Sequence, residues 1–361
     1  MTRRTFLSTP AAAPALLQAQ APGDVIRVGI IGTGGRGTLL LRQVLKAPNT
    51  KVVALCDIDA EALQRAGEVA AAHATDRMTE FRKLLDRKDI DAVFIATPVD
   101  LHKEMAIAAL EVGKHVYLEK PMGRTPEECR QVVSASKTAQ GILQIGFQLR
   151  HDPARAAAVK FIHSGGIGKV LFLQSYRHGR DLPPGRDWYF NAARSGDNIV
   201  EQACHILDLN NWVMQAHPLR AYGSGGINLF QDQPPGRTTM DHYAVIFEYP
   251  GDVRLSFSHI YFDPPGFTGI QERVFGAEAS IDLPQALVYS RTEKGAPRKL
   301  PVEGEGQDAA YRAVEAFFRN ARDKKTPLNN AEAGRIATLT GILGRQSIYE
   351  KRVVQWSEVD R

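Results

Sequence analysis

Cysteine is scarce in this chain, with only Cys56, Cys129 and Cys204 among 361 residues. Three thiols at those separations make neither an even disulfide framework nor a metal-ligand spacing. The fold must therefore rest on an apolar core, with at least two of the thiols buried, and no metal site is expected. Long hydrophobic runs are also missing. The one mild run, near the N-terminus, is broken by Pro10 and Pro14 and is too short to serve as a stable membrane anchor. No basic block or interleaved aromatic stripe is present, which argues against nucleic acid as a partner. Internal repeats and low-complexity segments are absent too. What remains is an ordinary globular composition, 43% hydrophobic and 24% charged, long enough for two domains.

Residues 1–21 carry a twin-arginine export pattern. Thr2-Arg3-Arg4-Thr5-Phe6-Leu7 leads into an Ala/Leu/Pro run, and Ala19-Gln20-Ala21 supplies a small-x-small cleavage site. Without Arg3 and Arg4 the chain carries 43 basic against 40 acidic residues, a net charge near +3. The twin-arginine route moves folded proteins, which suits a chain that takes up a cofactor before a periplasmic or otherwise exported destination.

The mature chain opens with Val25 to Ile31, a near-continuous apolar run of strand length, as expected for a parallel strand covered on both faces. It runs into Gly32-Thr33-Gly34-Gly35-Arg36-Gly37 and then a helical pattern, Thr38 to Lys46. Between strand and helix such glycines permit the tight turn and the close backbone approach that put a pyrophosphate on the helix N-terminus. The next strand, Lys51 to Leu55, leads to Asp57, about twenty residues past the last glycine. A carboxylate there binds the ribose hydroxyls of NAD and repels the extra phosphate of NADP. Arg36 would be the residue to suspect if NADP were the cofactor instead.

Ala60 to Ala72 has a helical pattern, and Asp91 to Ala96 is a buried strand ending in Thr97-Pro98. His102 to Glu111 forms the following helix, with Gly113 as its stop. His102 is a candidate for contact with the nicotinamide or substrate, with a structural role as the alternative. The short strand His115 to Leu118 then delivers Glu119-Lys120-Pro121, placing a lysine at the carboxyl edge of the sheet, where ligands of such sheets bind. A helix from Pro126 to Thr138 and a strand from Ile142 to Phe147 complete the alternation. Residues 24–149 are thus expected to form a doubly wound parallel sheet of the Rossmann type within an α/β chain.

From residue 150 to 361 the pattern changes to an α+β domain. A helix over Pro153 to His163 precedes longer strands at Val170 to Arg177, Tyr243 to Tyr249, Val253 to Phe262 and Glu272 to Phe275, with Tyr249-Pro250-Gly251-Asp252 as a turn. Val253, Leu255 and Phe257 alternate with Arg254, Ser256 and Ser258, so one sheet face is buried and the other is open to a partner subunit. Helices over Asp308 to Arg322 and Ala331 to Glu350 and a strand over Val353 to Trp356 close the chain.

Asn198 to Met214 is expected to be one helix. Glu201, His205, Asp208 and Trp212 then fall within roughly sixty degrees of one face. Such a stripe also suits the solvated face of an amphipathic helix. A histidine flanked by two carboxylates, however, is a ready proton-transfer group.

On these residues the chain resembles the Gfo/Idh/MocA oxidoreductases, the family of glucose–fructose oxidoreductase and inositol dehydrogenase. The resemblance rests on Gly32 to Gly37, Thr97-Pro98 followed by His102, Gly113-Lys114-His115-Val116 leading to Glu119-Lys120-Pro121, and the later histidine helix. It implies a second domain with a large open, mostly antiparallel sheet and assembly into a homo-oligomer through that sheet. It also implies that Lys120 is the catalytic lysine and His205 the general base or acid, and that Asp208 sits at a frequent family position. Family members usually have aspartate four residues before the histidine, where this chain has Glu201, which could orient His205, contact substrate or help bind a metal. Residues Gly32, Thr33, Gly34, Gly35, Arg36, Gly37, Asp57, Thr97, Pro98, His102, Glu119 and Lys120 are the cofactor candidates. Arg150, Arg177, His178, Arg186, Trp188, Tyr189 and Asp208 are the substrate candidates.

The expectation is an exported enzyme that moves hydride between NAD and a sugar or sugar derivative. Because free NAD is not on hand outside the cytoplasm, the cofactor should stay tightly bound and be restored in each cycle. That can happen by coupled oxidation and reduction of two sugars, or by transient oxidation at C3 with redox-neutral loss of a glycosidic leaving group. A nucleotide-bound assembly or sensing protein without turnover is the alternative of a different kind.

Overall fold

The computed structural model describes residues 25–361, and the export pattern lies outside them. Six parallel strands form the first sheet: β1 Ile26–Ile31, β2 Thr50–Cys56, β3 Asp76–Met78, β4 Ala92–Ile95, β5 His115–Leu118 and β6 Leu143–Ile145, in the order β3-β2-β1-β4-β5-β6. Their crossovers contain helices α1 Gly35–Lys46, α2 Ala60–Val69, α3 Phe81–Leu85, α4 Val99–Glu111 and α5 Pro126–Thr138. The strand order reverses between β1 and β4, the switch point at which such sheets bind nucleotides.

Alternation along the strands sends side chains into two cores. Ile31, Val93, Ile95, Val116 and Leu118 pack with Met105, Ala106, Cys129 and Val132 of α4 and α5. Val28, Ile30, Val52, Phe94 and Tyr117 pack on the opposite face with Leu40, Leu41 and Val44 of α1. A late helix completes this second core. Val314, Phe317 and Phe318 belong to it, with Phe317 edge-on to the stacked Phe94–Tyr117 pair at 5.2 and 5.7 Å. The change of pattern near residue 150 therefore marks a new sheet, while the chain returns later to cover the first one.

The second half continues with α6 Pro153–His163, β7 Val170–His178, α7 Asp187–Phe190, α8 Ala192–Ser195, α9 Asn198–Glu201 and α10 Cys204–Met214. Strands follow at β8 Arg220–Gly226, β9 His242–Tyr249, β10 Val253–Ile260, β11 Gly269–Gly276, β12 Ala279–Asp282, β13 Leu287–Ser290 and β14 Arg298–Lys299. Helices α11 Ala309–Asp323 and α12 Ala331–Glu350, strand β15 Val354–Gln355 and helix α13 Trp356–Val359 end the chain. The nine strands run β14-β13-β12-β11-β7-β10-β9-β8-β15, antiparallel except for the central parallel pair β7–β10. The expected open, mostly antiparallel sheet is present. Strand β8 escaped sequence reasoning because Gly223 and Gly225 replace the usual strand residues. A Cβ there would lie 2.8 Å from Ile348 and 2.5 Å from Tyr243, so close packing excludes larger residues.

Parity sorts the sheet into two faces. Leu173, Ser175 and Arg177 of β7 point inward with Leu255, Phe257 and His259 of β10, towards α6, α10 and α12. Phe172, Tyr222, Ile246 and Tyr289 lie exposed on the open face. Helix α12 ties the two sheets together, since Thr338 accepts a hydrogen bond from Met122 N at 3.2 Å and Thr340 accepts one from Asn211 at 3.0 Å. Among the described residues no helix is long and apolar enough to cross a membrane.

Candidate active site

The turn from β1 into α1 is shaped by what glycine lacks. Gly32 has φ +84°, and a Cβ there would lie 2.6 Å from the Ala96 carbonyl oxygen. A Cβ on Gly37 would lie 1.8 Å from the Gly32 oxygen, so the helix can start this close to the strand only with glycine at that position. Added Cβ atoms at Gly34 and Gly35 would meet nothing within 4 Å. Helix α1 begins at Gly35 with no side chain capping its first N–H groups and no acidic residue in its first turn. These exposed donors and the positive helix end fit a dinucleotide pyrophosphate.

Asp57 is held at the end of β2. Its Oδ2 accepts from Thr33 N at 2.6 Å and Thr33 Oγ1 at 3.1 Å, and its Oδ1 accepts from Asp59 N at 2.9 Å. A carboxylate fixed beside the glycine turn suits ribose hydroxyls. Arg36 reaches the other way across the sheet, to Glu119 at 2.7 Å and Gln148 at 2.8 Å. It is therefore engaged away from the Asp57 side, where an NADP phosphate would have to lie.

His102 is a correction to the expected cofactor contacts. It is buried, with Nδ1 at 2.7 Å from Pro121 O and Nε2 at 2.9 Å from Thr97 O. Both ring nitrogens are occupied by backbone, so the ring pins the Thr97-Pro98 loop to the Lys120-Pro121 turn. Glu119, also buried, secures that turn to α1 through Arg36.

At the tip of the turn, Lys120 Nζ donates to Glu201 Oε1 at 2.7 Å and to Glu201 O at 2.6 Å. Both side chains are only 11% exposed. Burial works against the ammonium charge, yet Glu201, helped by Glu119, holds the lysine above its ordinary pKa. The glutamate therefore pairs with the lysine rather than with the histidine ring. His205 Nδ1 is buried without a hydrogen-bond partner, and Phe147 packs edge-on to the ring at 6.1 Å. Nε2 is not closed off in this way. Burial, reinforced by the charges of Lys120, Arg36, Arg177 and Arg155, pushes His205 well below the usual imidazole value. At neutral pH the site thus combines a charged lysine with a neutral histidine.

The expected single helix is two. Helix α9 ends at Glu201 and α10 starts at Cys204, and Ala203 N bonds to Asn198 O at 3.0 Å, a wider turn than an α-helix makes. Asp197, at φ +67°, opens α9. Its buried carboxylate accepts from Asn198 N, Tyr349 OH and Met240 N at 2.5, 2.6 and 3.2 Å. Sequence reasoning missed it, since only the tertiary contacts reveal its role. The stripe divides at this point. Asp208 and Arg150, both proposed as substrate contacts, instead form a buried pair at 2.7 and 2.8 Å, with the guanidinium over Trp212 at 5.5 Å. His178 is a further correction. It lies on the open face of the sheet and binds Asp263 at 2.8 Å and Ser258 at 2.9 Å.

Arg177 is on the inner face, as a substrate group requires, and its Nε donates to Gln202 Oε1 at 2.9 Å. Tyr261 OH donates to the same oxygen at 2.9 Å and meets Tyr189 OH at 3.2 Å. Trp188 is half-buried and edge-on to Tyr189. Gln202 and Tyr261 carry no sequence signal of their own; Gln202 could have been suspected only from following Glu201. Arg186 leaves the second domain to bind Asp59 at 2.6 Å. All three cysteines are buried free thiols, as expected.

Residues 26–147 match the family model described as "Oxidoreductase family, NAD-binding Rossmann fold", and residues 156–282 match "GFO/IDH/MocA C-terminal domain". Inositol 2-dehydrogenase 3 of Saccharopolyspora erythraea is 28% identical over 300 residues, covering 81% of this chain and 82% of the relative. A glycosyl hydrolase family 109 protein of the same organism is 34% identical over 176 residues, 46% of this chain but only 38% of the relative. The solved structure of levoglucosan dehydrogenase in complex with NADH superposes with a TM-score of 0.81 at 21% identity, covering 91% of this chain and 98% of that one. At that identity the likeness carries the fold.

Proposed function

The chain belongs to the GFO/IDH/MocA oxidoreductases, and from that premise we propose an exported enzyme that moves hydride between tightly held NAD and a sugar hydroxyl or carbonyl. The observation that carries this reading is that Lys120 of the first domain lies near enough to His205 of the second for its charge to act on the imidazole, one held charged and the other neutral. The names of the inositol and levoglucosan relatives support a polyhydroxylated substrate.

Gly32 to Gly37 and the start of α1 would hold the pyrophosphate, and Asp57 the ribose; bound NAD would supply the hydride acceptor. The protein's own work concerns the proton and the charge. His205 Nε2 accepts the hydroxyl proton, and a positioned base of this kind contributes about 10²- to 10⁴-fold. Lys120 has three N–H donors, two of them engaged by Glu201, so the third can bind the reacting oxygen as negative charge develops there. Glu201 keeps that ammonium protonated. In the reducing direction the same groups return the proton.

Slow exchange of the cofactor is supported by a strap from the second domain. Between residues 181 and 197 the chain crosses to the first domain, where Arg186 binds Asp59 at 2.6 Å, Arg194 binds Asp100 at 2.7 Å, and Arg124 donates to Ala193 O at 3.0 Å. The relative described as a glycosyl hydrolase favours a second reading, in which oxidation is transient and a glycosidic bond is cleaved without net redox change. One experiment addresses both readings. The purified protein is denatured to identify any released nucleotide, and nicotinamide absorbance is then followed as sugars and glycosides are added to the intact protein. Lasting reduction marks the oxidoreductase, whereas cleavage without it marks the alternative. Release of NADP would overturn the assignment of Asp57. No spectral change or cleavage with any carbohydrate would overturn the sugar reading.

A further inference from the structure

The cations that act most on His205 are Lys120, Arg36, Arg177 and Arg155. Three of them face carboxylates: Lys120 faces Glu201 at 2.7 Å, Arg36 faces Glu119 at 2.7 Å, and Arg155 faces Glu272 at 2.7 Å and Asp152 at 3.4 Å. Among the described residues Arg177 alone of the four has no carboxylate within ion-pair distance. It is half-buried on the inner face of β7, beside the buried His259 of β10. Its Nε is used on Gln202, while Nη1 and Nη2 have no acceptor among the described residues. A partly desolvated guanidinium without a counter-charge is an unfavourable arrangement until an anion arrives.

Gln202 strengthens the case. Its Oε1 accepts from Arg177 and from Tyr261, which fixes the amide and turns its NH₂ away from both donors. That nitrogen has no partner among the described residues and is not closed off from solvent. Two guanidinium nitrogens and the amide nitrogen of Gln202, the residue that follows Glu201, therefore have nothing among the described residues to receive their hydrogen bonds. A planar fork of N–H donors matches a carboxylate. One uncompensated positive charge suits a monoanion better than a dianionic phosphate ester.

We infer that Arg177 and Gln202 form a carboxylate-binding subsite and that the substrate is an acidic sugar, a uronic acid or a glycoside carrying one. The inference rests on the sugar oxidoreductase reading and narrows its substrate class.

The test compares D-glucuronate and D-galacturonate with glucose, galactose and glucose 6-phosphate. Binding is followed by the fluorescence of NADH-loaded enzyme, and turnover by nicotinamide reduction. The uronates should exceed their parent sugars in kcat/KM by tenfold or more. Arg177→Met should shrink that ratio by roughly ten- to hundredfold, mostly through KM, the loss expected for a charged hydrogen bond. Arg177→Lys should restore part of it. Gln202→Glu, which sets a carboxylate against Arg177, should reverse the preference and serves as the test if Arg177→Met fails to fold. Equal use of glucose and glucuronate, a preference for the phosphate ester, absence of uronate binding, or an Arg177→Met enzyme with an unchanged ratio overturns the subsite. Uronate binding that depends on Arg177 without nicotinamide reduction would uphold the subsite and overturn the oxidoreductase reading. Oxidation of neutral sugars with no uronate preference would do the reverse.

Discussion

Replacing Glu201 by glutamine removes the carboxylate that keeps Lys120 charged and leaves only the backbone carbonyl as its partner. At 2.7 Å and an effective dielectric constant of 20, the lost attraction is about 6 kcal/mol before any relaxation. The protein can avoid part of that cost by releasing the lysine proton. For a lysine of ordinary pKa the release costs about 4.6 kcal/mol at pH 7 and about 1.9 kcal/mol at pH 9, which sets a ceiling on the penalty of burying the unpaired lysine. The ceiling at pH 7 lies within the 3–5 kcal/mol typical of breaking a buried ion pair.

The signs follow from linkage. In the native protein Lys120 is held above its unfolded pKa, so its contribution is fully present below about pH 10 and is lost only as pH rises through the folded value. In Glu201→Gln burial prevails and the folded pKa falls below the unfolded one. The penalty is then largest at low pH and fades towards pH 10. Urea unfolding of both proteins at pH 7 and pH 9 should show the stability gap narrowing by more than 1 kcal/mol. The same loss of charge should remove roughly 10²- to 10³-fold of kcat on the alkaline side, where the native enzyme remains active. Glu201→Asp keeps the charge with a shorter reach and should shift the alkaline limb less. A Glu201→Gln enzyme with the native alkaline limb and a pH-independent stability gap would refute the coupling.

His205→Asn should lower kcat by about 10²- to 10⁴-fold while nucleotide stays bound, as judged by NADH fluorescence. Because His205 sits well below the ordinary imidazole value, the native kcat/KM should hold its plateau below pH 6.5. On the same ground the unfolded state takes up the proton first as pH falls through that region, so stability declines there; a native activity midpoint at or above 6.5 would contradict this. The double variant Arg186→Ala, Arg194→Ala should speed nucleotide release about two- to fivefold, the modest effect of largely exposed ion pairs, measured by stopped-flow fluorescence. Arg150→Met strands Asp208 in the core and should cost about 3–5 kcal/mol in urea unfolding. A loss under 1 kcal/mol would place that pair outside the core energetics.

The nucleotide half was legible because its signals are local. Buried strands, a glycine turn and an aspartate at fixed spacing each follow from backbone geometry within some thirty residues. Glu201 and Lys120 were each visible as chemistry, but their pairing spans 81 positions and depends on how the second domain docks. The break at Gln202 was not legible, because no glycine or proline marks it. It follows from Asp197 and Asn198 being held by Met240 and Tyr349, contacts that arise only in the tertiary fold. Asp208 and Arg150 show the converse: both looked like site residues by type and spacing, yet they satisfy each other in the core.

That break also determines which group the glutamate serves. An uninterrupted helix would set Glu201 one turn before His205, where an i, i+4 carboxylate could raise the imidazole's affinity for a proton. With α9 and α10 separated, both the carboxylate and the carbonyl of residue 201 turn to Lys120, and the histidine keeps no anionic partner among the described residues. Glu201 thus drives the lysine up, while burial and the surrounding cations drive the histidine down. Two titratable groups separated in this way are what a site needs to hold a base and a cation side by side at one pH. Glutamate at this position is thus a device for the lysine, while burial and the neighbouring cations keep His205 neutral with no carboxylate to oppose them.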